Sequence, residues 1–596
     1  MNSPIEQSLL QEPEQFLNQE TKTIIPKEPL GAIALCLSGG GFRAASFSLG
    51  VLSYLHRARY KEKRVLDHVK FITSTSGGSI ANGCYSVSAY RNKPFTDFYN
   101  DLRNGMSGEK LLNTVFQILG DNDEWKEFGK INHNGKEFII KKERNLINAF
   151  AKSYDRLFFE SATLEAITDC THELPHLEET AFNTTEFNNG MAYYYKANGH
   201  QHFVRYIGNG YLRFQDMDTI KKLKIADIVA ASSCFPGGFE PIRYPLDFVY
   251  EGNSDLEKML KALSYTNNDP TKIDEVKEMP FSIMDGGIVD NMGLNCVIDA
   301  DRIREKTQGN FDLILSCDVT SYFNNALESD EKPIKGWYKG FTIKSIINIF
   351  KFSNLVFLLS LASIIFSVVA VAGYLLLIPS ILFSFIYWLG YFKMRNLKKD
   401  ANGTAAIAFR YTGYFLKLPF KYLLPMINAR IASVSQLVGN LFLKQIRRGQ
   451  YEFLFSLPSM KDRAIACLVY EFSTPFQPLR LKNLATRDGK WWPGMAHILM
   501  PSEKMTEVVN EAKGMGTTLW FGPGEIKTRD KLIATGQLTV CYSLIKHICR
   551  LEVLDPAYKN DPSLQKLKMS LLEDWEQFKK DPEFMLDNLI HNSPFK

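Results

Sequence analysis

Residues 32–55 read AIALCLSGGGFRAASFSLGVLSYL and residues 69–90 read VKFITSTSGGSIANGCYSVSAY. Each opens on a short apolar run (AIALCL, 32–37; VKFIT, 69–73) and crosses a cluster of small residues. Each then continues with the spacing of a helix (FRAASFSLGVLSYL, 42–55; SIANGCYSVSAY, 79–90). The pattern predicts strand, tight turn and helix, twice over. MAYYYKA, HFVRYIG, FSIMD and FDLILSCD supply further strand candidates. Strands separated by helices predict an α/β domain with a mainly parallel sheet covered on both faces.

The 596 residues leave room for three or four domains, or for one large domain carrying insertions. With 45% hydrophobic and 23% charged residues, 39 Gly and 25 Pro, the composition excludes a disordered, collagenous or fibrous protein. The net charge of +5 hides an asymmetry. Between Lys332 and Gln450 sixteen Lys/Arg face a single acid, Asp400, so this stretch carries +15 and the remainder −10. An acidic body with one basic belt argues against a nucleic-acid binder and for one anionic contact surface. The nine cysteines include no CxxC pair and several lie in apolar runs, which predicts buried thiols in a reducing compartment. The opening MNSPIEQSLLQEPEQFLNQE lacks a basic region followed by an apolar run, and no cleaved secretory signal is expected.

Residues 355–392, LVFLLSLASIIFSVVAVAGYLLLIPSILFSFIYWLGYF, contain no charge. One continuous helix of that length would measure ~57 Å, nearly twice a bilayer's ~30 Å hydrocarbon core. Two segments of ~17 residues meeting near Gly373–Tyr374, with Pro379 loosening the second, fit better, as a transmembrane or re-entrant hairpin. Both flanks are basic, which puts both ends on the cytoplasmic side. Tyr387, Trp388 and Tyr391 stand where an aromatic belt is expected. Residues 409–448 mix Lys/Arg with Phe, Tyr and Leu, as a surface lying on anionic head groups does.

Two turns carry candidate chemistry. Ser38-Gly39-Gly40-Gly41-Phe42-Arg43 follows a strand and opens a helix, so its amides face any developing negative charge. As Gly39-x-Gly41-x-x-Ala44 it also fits a dinucleotide fingerprint, but the second strand runs into Ser74-Thr75-Ser76-Gly77-Gly78-Ser79 where an acid is expected. That second cluster has the layout of a nucleophile elbow centred on Ser76, with Ser74 in place of the usual first glycine. A serine nucleophile needs a base. No histidine occupies a strand-end turn; His172 and His176 sit in the acidic THELPHLEE. Asp285 does, in Ile283-Met284-Asp285-Gly286-Gly287.

In this order SGGGFR, STSGG and DGG resemble the patatin-like acyl hydrolases, which share a Ser–Asp dyad with cytosolic phospholipases A. FNTTEFNNG (182–190), ADIVAASSCFPG (226–237) and Asp290-Asn291-Met292-Gly293 agree with that family, over roughly 31–320 and more weakly over 435–550. The resemblance implies a patatin-like three-layer α/β sandwich with a mainly parallel central sheet, plus an inserted hydrophobic helical hairpin. It implies Ser76 as nucleophile, Asp285 as its base, Gly39, Gly40 and Gly41 as the oxyanion hole, and Arg43 as a support for that loop or a phosphate contact. Ser74 and Ala44 depart from the family's usual glycines.

The expected plan is a polar arm (1–29), a catalytic domain (30–330), the hairpin (340–400), a basic membrane-proximal region (401–450) and a C-terminal helical part completing the catalytic domain (451–596). The expected function is a membrane-anchored lipid acyl hydrolase of the phospholipase A type, with its catalytic body on the cytoplasmic side. Its expected substrate and anchor surface is membrane phospholipid, with no nucleic acid partner, no cofactor and no metal. A catalytically inactive lipid-binding or scaffold protein is the alternative, and a nucleotide-binding membrane enzyme using Gly39–Gly41 is a third.

Overall fold

The structure, a computed structural model, describes residues 26, 28–133, 135–168, 175–198, 207–209, 212–214, 216–265, 280–320, 336–366, 370–400, 415–478 and 498–586. His172 and all of HFVRYIG but its last two residues lie outside them. Contacts divide the chain into two compact units, Met1–Asn324 with Leu441–Lys596, and Asn325–Asn440.

In the first unit, β1 (Ile33–Leu37) leads into α1 (Gly41–Arg57), and β2 (Val69–Thr75) into α2 (Gly77–Tyr90). The strand–turn–helix pair is therefore as expected. The sheet continues with β3 (Glu179–Glu186), β4 (Met191–Asn198), β5 (Ile207–Gly208) and β6 (Leu212–Phe214). After α3 (Ile225–Ser232) come β7 (Ile242–Tyr244), β8 (Leu263–Tyr265) and β9 (Phe281–Asp285). Then follow α4 (Leu294–Glu305) and β10 (Leu313–Asp318). Beyond the second unit lie α8 (Leu443–Ser456), β11 (Ala464–Leu468) and α9 (Ile526–Leu554).

The strand order is β8-β6-β5-β4-β3-β2-β1-β10-β11, with β9 added to β3 and β7 to β9. The centre, from β3 through β2, β1 and β10 to β11, is parallel. The other pairings are antiparallel.

Alternate residues of β1 face two separate cores, as a strand buried on both faces requires. Ile33, Leu35 and Leu37 join the side packed by α1, α2 and α9. Ala34 and Cys36 join the side packed by α4 and α8. This makes three layers. Helices α1 and α9 approach almost backbone to backbone: a Cβ on Gly50 would lie 2.0 Å from the Ile533 carbonyl oxygen, and one on Gly536 2.3 Å from that of Phe47. On the opposite face Arg463, fully buried, forks onto both oxygens of Asp301 at 3.0 and 2.9 Å.

The second unit holds α5 (Ile343–Ile365), α6 (Ala370–Asp400) and α7 (Phe420–Gln436). Helices α5 and α6 lie side by side: the Ser353 and Ser384 hydroxyls are 3.3 Å apart, and Phe350 meets Phe383 edge to face at 5.5 Å. The break expected near Gly373–Tyr374 falls earlier, after Ile365. Helix α5 also starts well before the charge-free run, at Ile343, where Thr342 caps it by accepting the Ser345 N–H at 2.9 Å. Pro379 sits inside α6 without ending it. Each helix thus contains a 23-residue stretch long and apolar enough to cross a membrane, Ile343–Ile365 and Tyr374–Asn396, and little of either stretch is buried.

Candidate active site

Strands β2 and β9 end against neighbouring residues of β3. Thr75 pairs with Asn183 from the parallel side, and Asp285 pairs with Thr184 from the antiparallel side. The two chain ends therefore meet at one edge of β3. There the Ser76 hydroxyl lies near enough to the Asp285 carboxylate to favour its charged form.

Ser76 stands between β2 and α2 at φ 52°, ψ −121°. A non-glycine residue in this region carries about 1–3 kcal/mol of strain, and the turn lifts the hydroxyl off the sheet. The Ser76 N–H is held at 2.9 Å by the Ser232 hydroxyl, which itself donates to the Asn183 carbonyl at 2.7 Å. Glycine follows Ser76 for a steric reason: a Cβ on Gly77 would lie 1.9 Å from the Gly41 carbonyl oxygen, and one on Gly78 2.6 Å from that of Leu37. The first glycine loop packs directly on this turn.

Ser74 departs from the elbow pattern without disturbing it. Its hydroxyl accepts from Asn82 Nδ2 at 2.8 Å and lies 3.1 Å from the Ser79 hydroxyl, in a fully buried polar network under the turn.

Asp285 is nearly buried, and burial pushes its carboxyl up to about 7. Two donors oppose that rise, the Gly287 N–H at 2.6 Å from Oδ1 and the Ser76 hydroxyl. The Thr185 hydroxyl fixes the Asp285 carbonyl at 2.8 Å. Asn183 Nδ2 donates to the Ser74 carbonyl at 2.7 Å and to Thr73 Oγ1 at 2.9 Å. FNTTE is thus the latch between the serine and aspartate strands, a role its sequence did not declare. The second carboxylate of the motif, Asp290, caps α4 by accepting the Leu294 and Asn295 N–H groups, each at 2.9 Å.

The three glycines differ in their surroundings. Gly39 lies against the serine, a Cβ there being 3.1 Å from Ser76 Cβ, but its N–H donates to the Asn291 carbonyl at 3.0 Å. Gly40 (φ 145°) and Gly41 (φ 62°) turn into the N-terminus of α1, and among the described residues their amides meet no acceptor. Arg43, 8% exposed, points Nη1 at the Met515 carbonyl at 2.7 Å. No histidine among the described residues reaches the pair; His176 Nε2 lies 2.9 Å from the Tyr85 hydroxyl. Nor does any cluster of three His, Cys, Asp or Glu suited to a metal ion occur among the described residues.

A strained serine at a strand–helix turn, close to a buried carboxylate and beside a helix N-terminus, has the parts of an acyl-transfer site. Residues 35–297 match the family model described as patatin-like phospholipase. This segment is a patatin-like phospholipase domain. The mixed sheet, parallel at its centre and sandwiched between helices, is the patatin fold.

No curated protein matches the sequence. Among solved structures, human GIVD cytosolic phospholipase A2 is similar at 11% identity and a TM-score of 0.29, over 53% of this chain and 49% of that one. The same human enzyme in complex with methyl gamma-linolenyl fluorophosphonate gives 13% and 0.28, over 51% and 43%. VipD from Legionella pneumophila gives 10% and 0.21, over 97% and 98%. The chain thus spans about half the length of the two phospholipase structures.

Proposed function

We propose that this chain is a membrane-anchored lipid acyl hydrolase of the phospholipase A type, acting on glycerophospholipid carboxylic esters through Ser76 and Asp285. The observation that carries the reading is that the strands bearing Ser76 and Asp285 end against neighbouring residues of β3, with the Ser76 hydroxyl close to the Asp285 carboxylate.

Ser76 Oγ attacks the ester carbonyl while its proton passes to Asp285. The tetrahedral oxyanion forms beside the Gly40 and Gly41 amides, donors of a kind worth about 3–4 kcal/mol each. Gly39 borders this hole, with its own N–H held by Asn291. Collapse breaks the ester C–O bond, and the leaving lysophospholipid alkoxide takes the proton from Asp285. Water then attacks the acyl-Ser76 ester, again giving a proton to Asp285, and the fatty acid leaves as Ser76 Oγ is reprotonated. Carboxylate and serine are restored, so the cycle closes with one water consumed.

The hairpin of α5 and α6 is the anchor in this reading, and the basic flanks keep both of its ends cytoplasmic. The +15 belt holds the site against anionic lipid at about 1 kcal/mol per well-placed Lys or Arg. Residues 30–330 and 451–596 form the catalytic body, with 340–400 as the inserted hairpin and 401–450 as the basic region beside it. An inactive lipid-binding scaffold rested on Ser74, whose hydroxyl fits the buried network under the turn. The nucleotide reading needs space along the glycine loop that the backbones of Gly77 and Thr518 occupy.

Lipid-product analysis tests the proposal. Wild-type protein with mixed phospholipid vesicles should release fatty acid and lysophospholipid, and Ser76→Ala should release neither. Equal release by the variant would refute it.

A further inference from the structure

The family match ends at residue 297, yet the glycine loop is held from a segment far beyond it. Residues 515–521, MGTTLWF, follow the helix Glu503–Gly514 and run beside the start of α1. The Phe42 N–H donates to the Thr518 carbonyl at 2.7 Å, and Gly41 pairs with Thr518 as an isolated parallel bridge. Arg43 Nη1 donates to the Met515 carbonyl at 2.7 Å, and the Phe42 ring stacks on Phe521 at 6.4 Å. The approach is so close that a Cβ on Gly41 would lie 2.1 Å from the Thr518 carbonyl oxygen. The segment is braced internally, because Thr518 Oγ1 accepts the Trp520 N–H at 3.2 Å and donates to the Trp520 carbonyl. Phe521, fully buried, bridges to Ser107 and Gly108.

Three consecutive glycines leave a backbone free to point its N–H groups in many directions. The near end of this loop is tied to the sheet side by Ser38 N–H on the Cys317 carbonyl and Gly39 N–H on the Asn291 carbonyl, both at 3.0 Å. Its far end, where the Gly40 and Gly41 amides turn into α1, is tied by residues 515–521. A misplacement of about 1 Å in such donors reduces rate by about 100-fold.

We propose that residues 515–521 are a strap that positions the oxyanion loop, and that Arg43 is a positioning residue tying the loop to Met515. This rests on the hydrolase reading above and adds the element that aims its oxyanion donors. The buried Arg43 guanidinium, its pKa lowered to about 10 by desolvation, accords with a side chain turned into the protein.

Arg43→Met and Thr518→Val test the strap, read by hydrolysis of a soluble p-nitrophenyl ester and by hydrogen–deuterium exchange over residues 38–46. Each variant should lower kcat about 10- to 100-fold with KM changed less than about threefold. Exchange over 38–46 should rise while β1 and β2 keep their protection. Arg43→Lys, which keeps a donor for the Met515 carbonyl, should recover much of the loss. Unchanged kcat and exchange in both folded variants would overturn the proposal. So would a raised KM with kcat intact in Arg43→Met, since Arg43 would then be binding substrate. Exchange needs no turnover: should wild-type protein prove inactive, the hydrolase reading falls while faster loop exchange in the variants would still support the strap, and unchanged exchange would sink it.

Discussion

Ser76 and Asp285 are brought together because Thr75 and Asp285 pair with consecutive residues of one strand, Asn183 and Thr184, from opposite directions. The parallel strand delivers the serine at its end and the antiparallel strand delivers the carboxylate at its own. No loop has to reach across the sheet, so the pair is set by backbone ladders. Such ladders hold a hydrogen bond more firmly than a long side chain on a mobile segment would.

Burial raises the Asp285 carboxyl to about 7, and this sets the expected pH dependence. As the proposed base, Asp285 works only when deprotonated, so kcat/KM should rise with pH through a midpoint near 7 and then level. The sign for stability is opposite. Because the folded value exceeds the unfolded one, about 3.9, stability falls as pH rises between the two. Asp285→Asn should therefore raise Tm more at pH 8 than at pH 5. A pH–rate midpoint near 4 would contradict the buried carboxylate.

Asn183 holds the serine strand through its side-chain amide. Asn183→Ala should lower unfolding free energy by about 1–3 kcal/mol, as loss of buried hydrogen bonds does, and reduce kcat with it. Urea unfolding and steady-state kinetics check both. Unchanged values would remove Asn183 from the latch.

The contact between α1 and α9 predicts that Gly536→Ala is destabilising although alanine favours helices. The added Cβ would meet the Phe47 carbonyl oxygen at 2.3 Å, and overpacking of this kind costs about 1–3 kcal/mol. Thermal melting would show it as a lower Tm. A higher Tm would mean that the two helices do not touch there.

Arg463 makes a comparable prediction on the other face. Arg463→Ala leaves Asp301 buried without its partner, an effect of about 3–5 kcal/mol. Denaturant titration should find the loss. A change below about 1 kcal/mol would place the pair in a wetter setting than the structure gives it.

For the proposed anchor, Phe366→Cys at the end of α5 should react with an impermeant maleimide only from the side of the membrane opposite the proposed catalytic body. Labelling from the same side as the catalytic body would leave a re-entrant loop or no insertion at all.

The local signals were legible. AIALCL and VKFIT announced β1 and β2 because both are short apolar runs ending in small residues, and the order SGGGFR, STSGG, DGG singled out Ser76 and Asp285 as the pair proposed here. What escaped was long-range or stereochemical. That the Gly39 N–H is occupied depends on Asn291, which only the folded chain brings near. Ser232 lies in a stretch that the resemblance singled out, but neither its place under the elbow nor the strap at 515–521 is marked in the sequence, since a hydroxyl or a carbonyl acts here by position alone. The hairpin break was misplaced because the charge-free run was divided at its middle, near a glycine. Helix α5 instead borrows its first turns from the Lys-bearing segment that precedes the run.

The most direct test of the central claim is intact-mass analysis after exposure to a fluorophosphonate probe. Wild-type protein should gain one adduct, mapped to Ser76, with Asp285→Asn labelled far more slowly and Ser76→Ala not at all. An adduct on another serine, or undiminished labelling of Asp285→Asn, would contradict the Ser76–Asp285 site.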